Sequence, residues 1–213
     1  MFHLQLQVQT IHPKKGITSS RAWVSKSFVK NFLGILYRNM ISETDWTTFD
    51  TGGNARDYSN YHEQYNIIPC IQQFGGSRVF GYYAVTTTVF GDDVGIQVGD
   101  GSAANTALTY TLHQIIPHGV ASGELEYSGG FVGEVVVNGA DSYFDIERIL
   151  RNNSGGSIVI KEYAIVVANA EYWQGAAIYP HLIVRDVFTE EVDWVTVATT
   201  EYLKVSYRLS VTV

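Results

Sequence analysis

Cysteine, proline and charge are all scarce in this chain of 213 residues. There is one cysteine, Cys70, there are four prolines, and charged residues make up 16% of the sequence. A single cysteine excludes an internal disulfide, so we expect stability to come from packing or from association between subunits, with Cys70 as a small buried side chain. Hydrophobic residues make up 46%, which is enough to bury a core and too much for a disordered chain.

Long apolar runs and targeting signals are missing as well. No run reaches the ~18 apolar residues that a membrane-spanning helix needs. The N-terminus does not show the basic-then-apolar pattern of a secretory signal. We therefore expect a protein with no membrane partner that is made and assembled in the cytoplasm.

The familiar catalytic motifs are also absent from the sequence. There is no Gly-x-Ser-x-Gly, no Walker loop, no His-Glu-x-x-His and no cysteine pair. Residues 98–102 are rich in glycine but lack the Gly-Lys-Ser/Thr that follows in a phosphate-binding loop, so they indicate a turn. We predict a protein that is not an enzyme and that uses no cofactor.

Scattered aspartates and histidines offer weaker candidates for metal binding. Asp92, Asp93 and Asp100 can supply oxygen ligands to Ca²⁺, but their spacing fits no calcium loop and is typical of solvated turns. His113 and His118 are spaced in a way that gives neither a strand pair nor a helix pair of ligands. We predict no metal site, and the calcium alternative near the three aspartates stays open.

Two glutamates of one predicted strand are the remaining candidates for acid–base chemistry. Glu124 and Glu126 fall on one strand face, as paired catalytic carboxylates would. They alternate with Leu125 and Tyr127, however, which is typical of a solvent-facing strand side. We predict that these glutamates are not catalytic.

Acidic residues are missing from the first 42 positions, which carry six basic residues and a net charge of +6. The remaining 8 basic and 21 acidic residues give the rest of the chain a net charge of −13. A basic arm on an acidic body favours docking on an acidic partner or on a neighbouring copy of the chain. Nucleic acid is disfavoured, because the arm's aromatic residues follow helical spacing and the body would repel phosphate.

Three segments with different patterns divide the chain. In residues 1–41 an alternating strand at 2–9, able to pair at a sheet edge, precedes an amphipathic helix predicted over 19–41. That helix would either cover its own domain or pack in an assembly interface. Residues 42–66 are polar and aromatic and predict a long loop, which we expect to be ordered against a neighbouring subunit or to bind a partner or glycan.

Residues 67–213 predict the body of the protein. An irregular crossing or short helix is predicted at 103–116. Ten candidate strands are separated by glycine-rich turns, at 67–72, 78–90, 94–98, 122–127, 131–137, 143–151, 157–167, 177–188, 193–198 and 202–213. The last strand, 202–213, alternates apolar and polar residues over its whole length. The fold class is therefore mainly β, with an antiparallel β-sandwich or jelly-roll-like body and one N-terminal amphipathic helix.

Aromatic residues are plentiful, at 13% of the chain. Exposed tryptophan and tyrosine are favoured at protein interfaces and can stack on sugar rings, whereas core packing is the alternative for Trp23 and the strand tyrosines. The helix, the long loop and one later turn provide the interface candidates, which are Trp23, Phe28, Phe32, Tyr37, Trp46, Tyr58, Tyr61, Tyr65, Tyr172 and Trp173.

Three parts of the chain carry a recognisable combination of motifs. The first is the Arg21-Ala-Trp-Val-Ser-Lys-Ser-Phe-Val-Lys-Asn-Phe-Leu-Gly-Ile-Leu-Tyr37 segment, and the second is Gly95-Ile-Gln-Val-Gly-Asp-Gly101 followed by Leu112 to Gly119. The third runs from Arg148 through Asn152-Asn-Ser-Gly-Gly156 and Lys161-Glu-Tyr163 to Leu182-Ile-Val-Arg-Asp-Val187 and the closing strand. Together these segments resemble structural proteins of tailed viruses that are associated with the tail or capsid. The motifs specify a fold and no catalytic residue, and residues 42–75 lie outside the resemblance.

The resemblance implies a non-enzymatic component of a bacteriophage particle, in its tail, neck or capsid. Such a protein would be located in the virion and would act in virus assembly through self-association, as a homo-oligomer, and through docking on other virion proteins. A receptor- or glycan-binding module is the alternative function, with a host-surface glycan as its partner. A polysaccharide hydrolase is the third.

Overall fold

The chain folds mainly into antiparallel β-sheets. A computed structural model describes residues 2–25, 28–34, 47–57, 93–171 and 177–212. The strands are β1 Phe2–His12, β2 Gly16–Ser25, β3 Thr47–Phe49, β4 Ala55–Asp57, β5 Gly95–Gly99, β6 Glu126–Val132, β7 Val136–Asn138, β8 Asp141–Arg151, β9 Ile158–Ile160, β10 Glu162–Glu171, β11 Ala177–Val187, β12 Val195–Val197 and β13 Tyr202–Thr212, with a 3-10 turn at Glu191–Asp193.

The largest sheet has six strands. Five of them follow the order β2-β1-β13-β8-β6, and the sixth, β7, pairs with β8. The last strand thus lies in the middle, between the first strand and β8. The alternation predicted for it is confirmed, since Leu203, Val205 and Tyr207 are fully buried. The pattern weakens towards the end of the strand, where Val211 is 44% exposed.

Three smaller sheets complete the described structure. The strands β11, β10 and β5 form a three-stranded sheet in that order. Two-stranded sheets join β12 with β9 and β3 with β4. Every pairing between these strands is antiparallel, which agrees with the predicted class.

A single large hydrophobic cluster contains side chains from both main sheets. The six-stranded sheet contributes Leu6 from β1 and Val205 from β13, and the three-stranded sheet contributes Ile96, Ile165 and Val184. The β9–β12 pair adds its own buried valines and isoleucines to the same cluster. Burial of each such side chain contributes on the order of 1.5–3 kcal/mol before chain entropy is counted.

The predicted helix at 19–41 is wrong over its first part. Residues 16–25 form strand β2, and only 30–34 are helical among the described residues of that range. The helical spacing of the apolar residues is outweighed by the free edge of β1, because unpaired backbone groups gain hydrogen bonds by pairing with a neighbouring strand. Gly16, with φ of 77°, completes the turn that brings the chain back beside β1.

Two other predictions about the N-terminal third need correction. The strand predicted at 2–9 is not an edge strand, because β2 covers one of its sides and β13 the other. The loop predicted at 42–66 contains a short hairpin of β3 and β4. The side chain of Asn31 holds this hairpin with two hydrogen bonds. Its Nδ2 donates to the Phe49 carbonyl at 2.8 Å, and its Oδ1 accepts from the Phe49 N–H at 3.1 Å.

The strand predictions in the body are largely confirmed. Strands were expected at 94–98, 143–151, 177–188 and 193–198, and β5, β8, β11 and β12 lie there. The run predicted at 157–167 is two strands, β9 and β10, and residues 102–114 form the irregular crossing. The predicted strands 67–72 and 78–90, and Cys70, lie outside the described residues.

The predicted strand at 122–127 begins later, at Glu126. The preceding residues form a turn in which the Gly119 N–H donates to the Leu125 carbonyl at 3.0 Å. The Glu124 carboxylate accepts from the Ala121 N–H at 2.9 Å and holds the same turn. Glu124 therefore lies in this turn and does not share a strand with Glu126.

Because β13 lies in the centre of the sheet, a valine-to-alanine substitution should lower the free energy of unfolding more at a buried position of this strand than at an exposed one. Val205→Ala removes buried atoms and should lower the free energy of unfolding by about 2 kcal/mol. Val211→Ala, at an exposed position, should change it by roughly 0.5 kcal/mol or less. Denaturant unfolding of both variants measures this, and equal effects would contradict a central, core-forming β13.

Candidate assembly interface

A buried ion pair links two neighbouring strands of the three-stranded sheet. Glu162 opens β10 and Arg185 lies near the end of β11, and their side chains are 0% and 2% exposed. Arg185 donates to one carboxylate oxygen of Glu162, from Nε at 2.9 Å and from Nη2 at 2.6 Å. Because removing one member of such a pair leaves a charge buried without compensation, each residue depends on the other.

The same carboxylate holds the irregular crossing between β5 and β6. The backbone N–H groups of His113 and Gln114 donate to its two oxygens, at 3.1 and 2.8 Å. Arg185 extends the contact by donating to the Ala103 carbonyl at 3.1 Å. A segment without regular structure is thus fixed by hydrogen bonds to charged groups, which are stronger than those between neutral groups.

Two glycines of the Gly95–Gly101 motif leave room for this carboxylate. A Cβ atom on Gly99 would lie 2.4 Å from the Gln114 carbonyl oxygen and 2.5 Å from Oε1 of Glu162. A Cβ on Gly101 would lie 2.6 Å from the same Oε1. The glycine motif therefore serves packing around Glu162, and the turn predicted at 98–102 is instead the end of β5 and the start of the crossing.

A second buried carboxylate joins the two main sheets. Asp186 of β11 accepts from the Ser25 hydroxyl of β2 at 2.9 Å and from the Tyr207 hydroxyl of β13 at 3.0 Å. Burial, followed by the nearby negative charge of Asp186, raises the pKa of Tyr207 well above its usual value. The Tyr207 hydroxyl therefore stays protonated at neutral pH and donates to Asp186.

A nearby tyrosine hydroxyl is buried without a hydrogen-bond partner in the described part of the chain. It belongs to Tyr163 of β10, whose ring packs edge-on against Phe188 at 5.8 Å between centroids. Burial raises the pKa of Tyr163, and the positive charge of Arg21 lowers it by less. The ring therefore acts as a packing group beside Phe188, the residue directly after β11.

Arg148 connects the sheets at their other side. This buried side chain of β8 donates from Nη1 to the carbonyls of Val94 and Ile96, at 2.8 and 2.9 Å, and from Nε to the carbonyl of Ser128 at 2.9 Å. Its guanidinium also lies over the Tyr127 ring, 4.7 Å from the centroid. Arg148 therefore occupies hydrogen-bonding positions along β5 that a neighbouring strand would otherwise fill.

An exposed apolar surface lies at the β6–β7 end of the large sheet. We call this end of the sheet the β7 surface; Phe131 and Val136 lie on one face of it, Val137 and Val211 on the other, and Val135 lies between β6 and β7. Val137 and Val211 both pair with Ser142 of β8, so they share one sheet face, and Val137 is 72% exposed. Several large apolar side chains grouped on a surface are typical of sites where another molecule binds.

Three of the interface candidates predicted from sequence lie in the described part of the chain. Trp23 packs on Phe188 with 4.5 Å between ring centroids and donates from Nε1 to Asp193 at 3.3 Å, so it is a packing residue. Phe28 bridges to Val184 of β11 and stacks on Phe32, with 4.2 Å between their centroids. The other candidates lie outside the described residues, namely Tyr37, Trp46, Tyr58, Tyr61, Tyr65, Tyr172 and Trp173.

The structure also places the residues considered for metal or acid–base chemistry. Among the described residues, no three histidine, cysteine, aspartate or glutamate side chains are grouped closely enough to hold a metal ion. Asp93 and Asp100 flank β5, and Asp92 lies outside the described range. His118 accepts from the Tyr127 N–H at 3.0 Å, and Glu126 accepts from the Asn153 side chain.

The buried ionic residues Glu162, Arg185 and Arg148 were not predicted from sequence. A usable signal was present for two of them, because Glu162 follows the apolar run 158–160 and Arg185 follows the apolar run 182–184. Charged residues are rarely fully buried unless they are paired, so a charge in a strand directly beside such a run indicates a buried partner. The identity of that partner requires the strand pairing, which places β10 beside β11.

Comparison with protein-family models, with curated proteins and with solved structures found no match to this chain. The resemblance to tailed-virus structural proteins therefore stays a prediction. In the described part of the chain, no helix is long and apolar enough to cross a membrane.

The tight packing around Glu162 predicts that two glycines respond differently to alanine. Gly99→Ala should lower the free energy of unfolding by about 1–3 kcal/mol, because the new Cβ meets backbone and carboxylate atoms. Gly156→Ala should leave stability unchanged or raise it by up to about 1 kcal/mol, since no atom lies within 4 Å of its Cβ position. Thermal or denaturant unfolding of the two variants tests this, and an unaffected Gly99→Ala would contradict the packing described.

Proposed function

We propose that this protein is a non-enzymatic structural subunit that acts by self-association and by docking on other proteins, as a virion component of a tailed virus would. The observation that carries the proposal is the exposure of apolar side chains on both outer parts of the six-stranded sheet. Ile17 and Val24 are exposed on β2, and the β7 surface is exposed at the other side. Such surfaces are favourable to bury against a partner.

The rigid body that carries these surfaces supports the same proposal. Glu162 and Asp186, two buried carboxylates, each accept hydrogen bonds from several groups that hold strands or the crossing in place. Charged groups used in this way fix one arrangement of the sheets. A subunit that makes repeated, symmetric contacts benefits from such a fixed shape.

We further propose that the two main sheets pack face to face as a β-sandwich. The shared hydrophobic cluster supports this, because inner-face residues of β1 and β13 contact the same core as those of β5 and β10. The contacts of Asp186 with β2 and β13, and of Arg148 with β5, tie the two sheets together near opposite sides of that core.

Glycan binding is a second candidate function, favoured by the outer face of the large sheet. Gln5, Gln7 and Gln9 form a row of side-chain amides on β1, and register places them beside the polar residues of β13. Tyr143 and Tyr202 lie on the same face under the guanidinium groups of Arg208 and Arg151. Amides and tyrosine rings are groups that hydrogen-bond and stack on sugars.

Sedimentation of the purified full chain over a wide concentration range tests the proposed function. We expect the average mass to rise from that of the 23.7 kDa monomer to that of a defined oligomer. The same samples are then measured with surface polysaccharides of candidate host cells added. We expect these polysaccharides to leave the sedimentation unchanged. A protein that stays monomeric at every concentration and binds polysaccharide would favour the glycan-binding function instead.

A further inference from the structure

The Asn138-Gly139 pair lies at the tip of the hairpin that joins β7 to β8. Asn138 ends β7, Asp141 begins β8, and the two residues pair directly across the ladder. Gly139 and Ala140 form the turn between them, and Gly139 has φ of 62°, a conformation that favours glycine. All four residues are exposed, so the turn brings an asparagine and the glycine after it to the surface.

An asparagine that precedes a glycine can lose its side-chain amide without an enzyme. The backbone nitrogen of the glycine attacks the side-chain carbonyl carbon, and the side-chain nitrogen leaves as ammonia together with the proton of the attacking N–H. Water then opens the resulting cyclic imide at one of its two carbonyl groups. The products are aspartate and isoaspartate, in which the main chain runs through the side-chain methylene. Glycine favours the attack because it has no Cβ to hinder the approach.

The surroundings of Asn138 leave it free to reach the geometry of this attack. No atom lies within 4 Å of the position that a Cβ on Gly139 would occupy. The strand β7 is three residues long, and all three are exposed, so no buried side chain anchors it. Segments with few buried contacts open locally at a low cost in free energy. Brief opening of the β7 end of the hairpin therefore gives the side-chain carbonyl access to the Gly139 nitrogen.

Asn152 shows the opposite environment in another glycine-rich turn. Its side chain is fully buried, and its Nδ2 donates to the carbonyls of Gly156 and Val197, both at 2.8 Å. Its Oδ1 accepts from the Ser154 N–H at 3.0 Å. An attack on the Asn152 carbonyl carbon would have to break these bonds inside the protein. The fold, as well as the following glycine, thus makes Asn138 the more reactive of the two.

We propose that Asn138 is a site of spontaneous deamidation, and that its conversion loosens β7 from β8. An aspartate at this position lies directly opposite Asp141, whose carboxylate accepts from the Thr212 hydroxyl at 2.7 Å. Like charges directly opposite each other destabilise a ladder, and the extra main-chain atom of isoaspartate moves the rest of β7 out of register. The pairing of the strand that carries Val136 and Val137 therefore changes as the protein ages. This inference goes beyond the proposed self-association and does not depend on it.

Incubation of the purified full chain at mildly alkaline pH, followed by peptide mapping with mass spectrometry, tests the site. A second sample is incubated in denaturant, where the fold no longer protects any asparagine. We expect the Asn138 amide to be lost in both samples, with isoaspartate among the products, and the Asn152 amide to be kept in the folded one. Asn138→Gln, whose longer side chain forms the imide poorly, should stay unmodified. A folded chain that keeps the Asn138 amide while the denatured chain loses it would overturn the proposal, because the hairpin would then protect the site.

Amide hydrogen exchange in two variants tests the loosening of β7 separately. Asn138→Asp supplies the charge of the product, and Asn138→Gln is the neutral control at the same exposed position. The amides of residues 136–138 should exchange about twofold to fivefold faster in Asn138→Asp, as a like-charged pair opposite in a ladder predicts. They should exchange as in the parent chain in Asn138→Gln, and the amides of β13 should not change in either variant. Equal exchange of β7 in the two variants would contradict the effect of the charge on its pairing.

Discussion

The buried pair of Glu162 and Arg185 is the interaction on which the described structure most depends. Taking two charges out of water costs several kcal/mol each, and the cost is offset only when hydrogen bonds satisfy both groups. Here the arginine reaches a carboxylate oxygen with two nitrogens, and two backbone N–H groups complete the carboxylate. The pair therefore fixes β10 against β11 and at the same time holds the crossing at residues 113 and 114.

Ionic and polar side chains also determine how the sheets relate to one another. Asp186 links β11 to strands β2 and β13 of the large sheet, and Arg148 links β8 to the edge of β5. These bonds are directional, whereas hydrophobic burial is not, so they select one arrangement of the sheets around the shared core. The proposed sandwich and the proposed assembly function both require such a fixed body, because a surface can match a partner only when its strands hold their positions.

Much of the β architecture could be predicted from the sequence, and the reasons are local. The alternation of Leu203, Val205 and Tyr207 with polar residues predicts β13, because side chains of a strand point to opposite faces. The turn at 152–156 is predicted by its Asn, Ser and Gly residues, and the side chain of Asn152 does organise it by donating to the Gly156 carbonyl at 2.8 Å. These features depend on neighbouring residues and not on the tertiary arrangement.

The errors arise where distant parts of the chain decide the outcome. Spacing of Val24, Phe28 and Phe32 suits a helix, yet pairing with β1 makes residues 16–25 a strand, and Val24 is exposed on it. The candidate site shows the same limit, since the sequence left interface and packing roles open for Trp23, and the residues that contact this half-buried ring, Phe188 and Asp193, lie far along the chain. The partner of Glu162 likewise follows from strand order, which local patterns do not contain.

Amide hydrogen exchange in Glu162→Gln tests most directly whether this carboxylate holds the crossing. Glutamine keeps nearly the same volume but removes the charge and one acceptor oxygen. The account predicts that the His113 and Gln114 amides exchange more than about tenfold faster in the variant. The Thr109 amide, which donates to the Thr106 carbonyl at 3.1 Å, should change much less. Unchanged exchange at His113 and Gln114 would contradict the central role given to the Glu162–Arg185 pair.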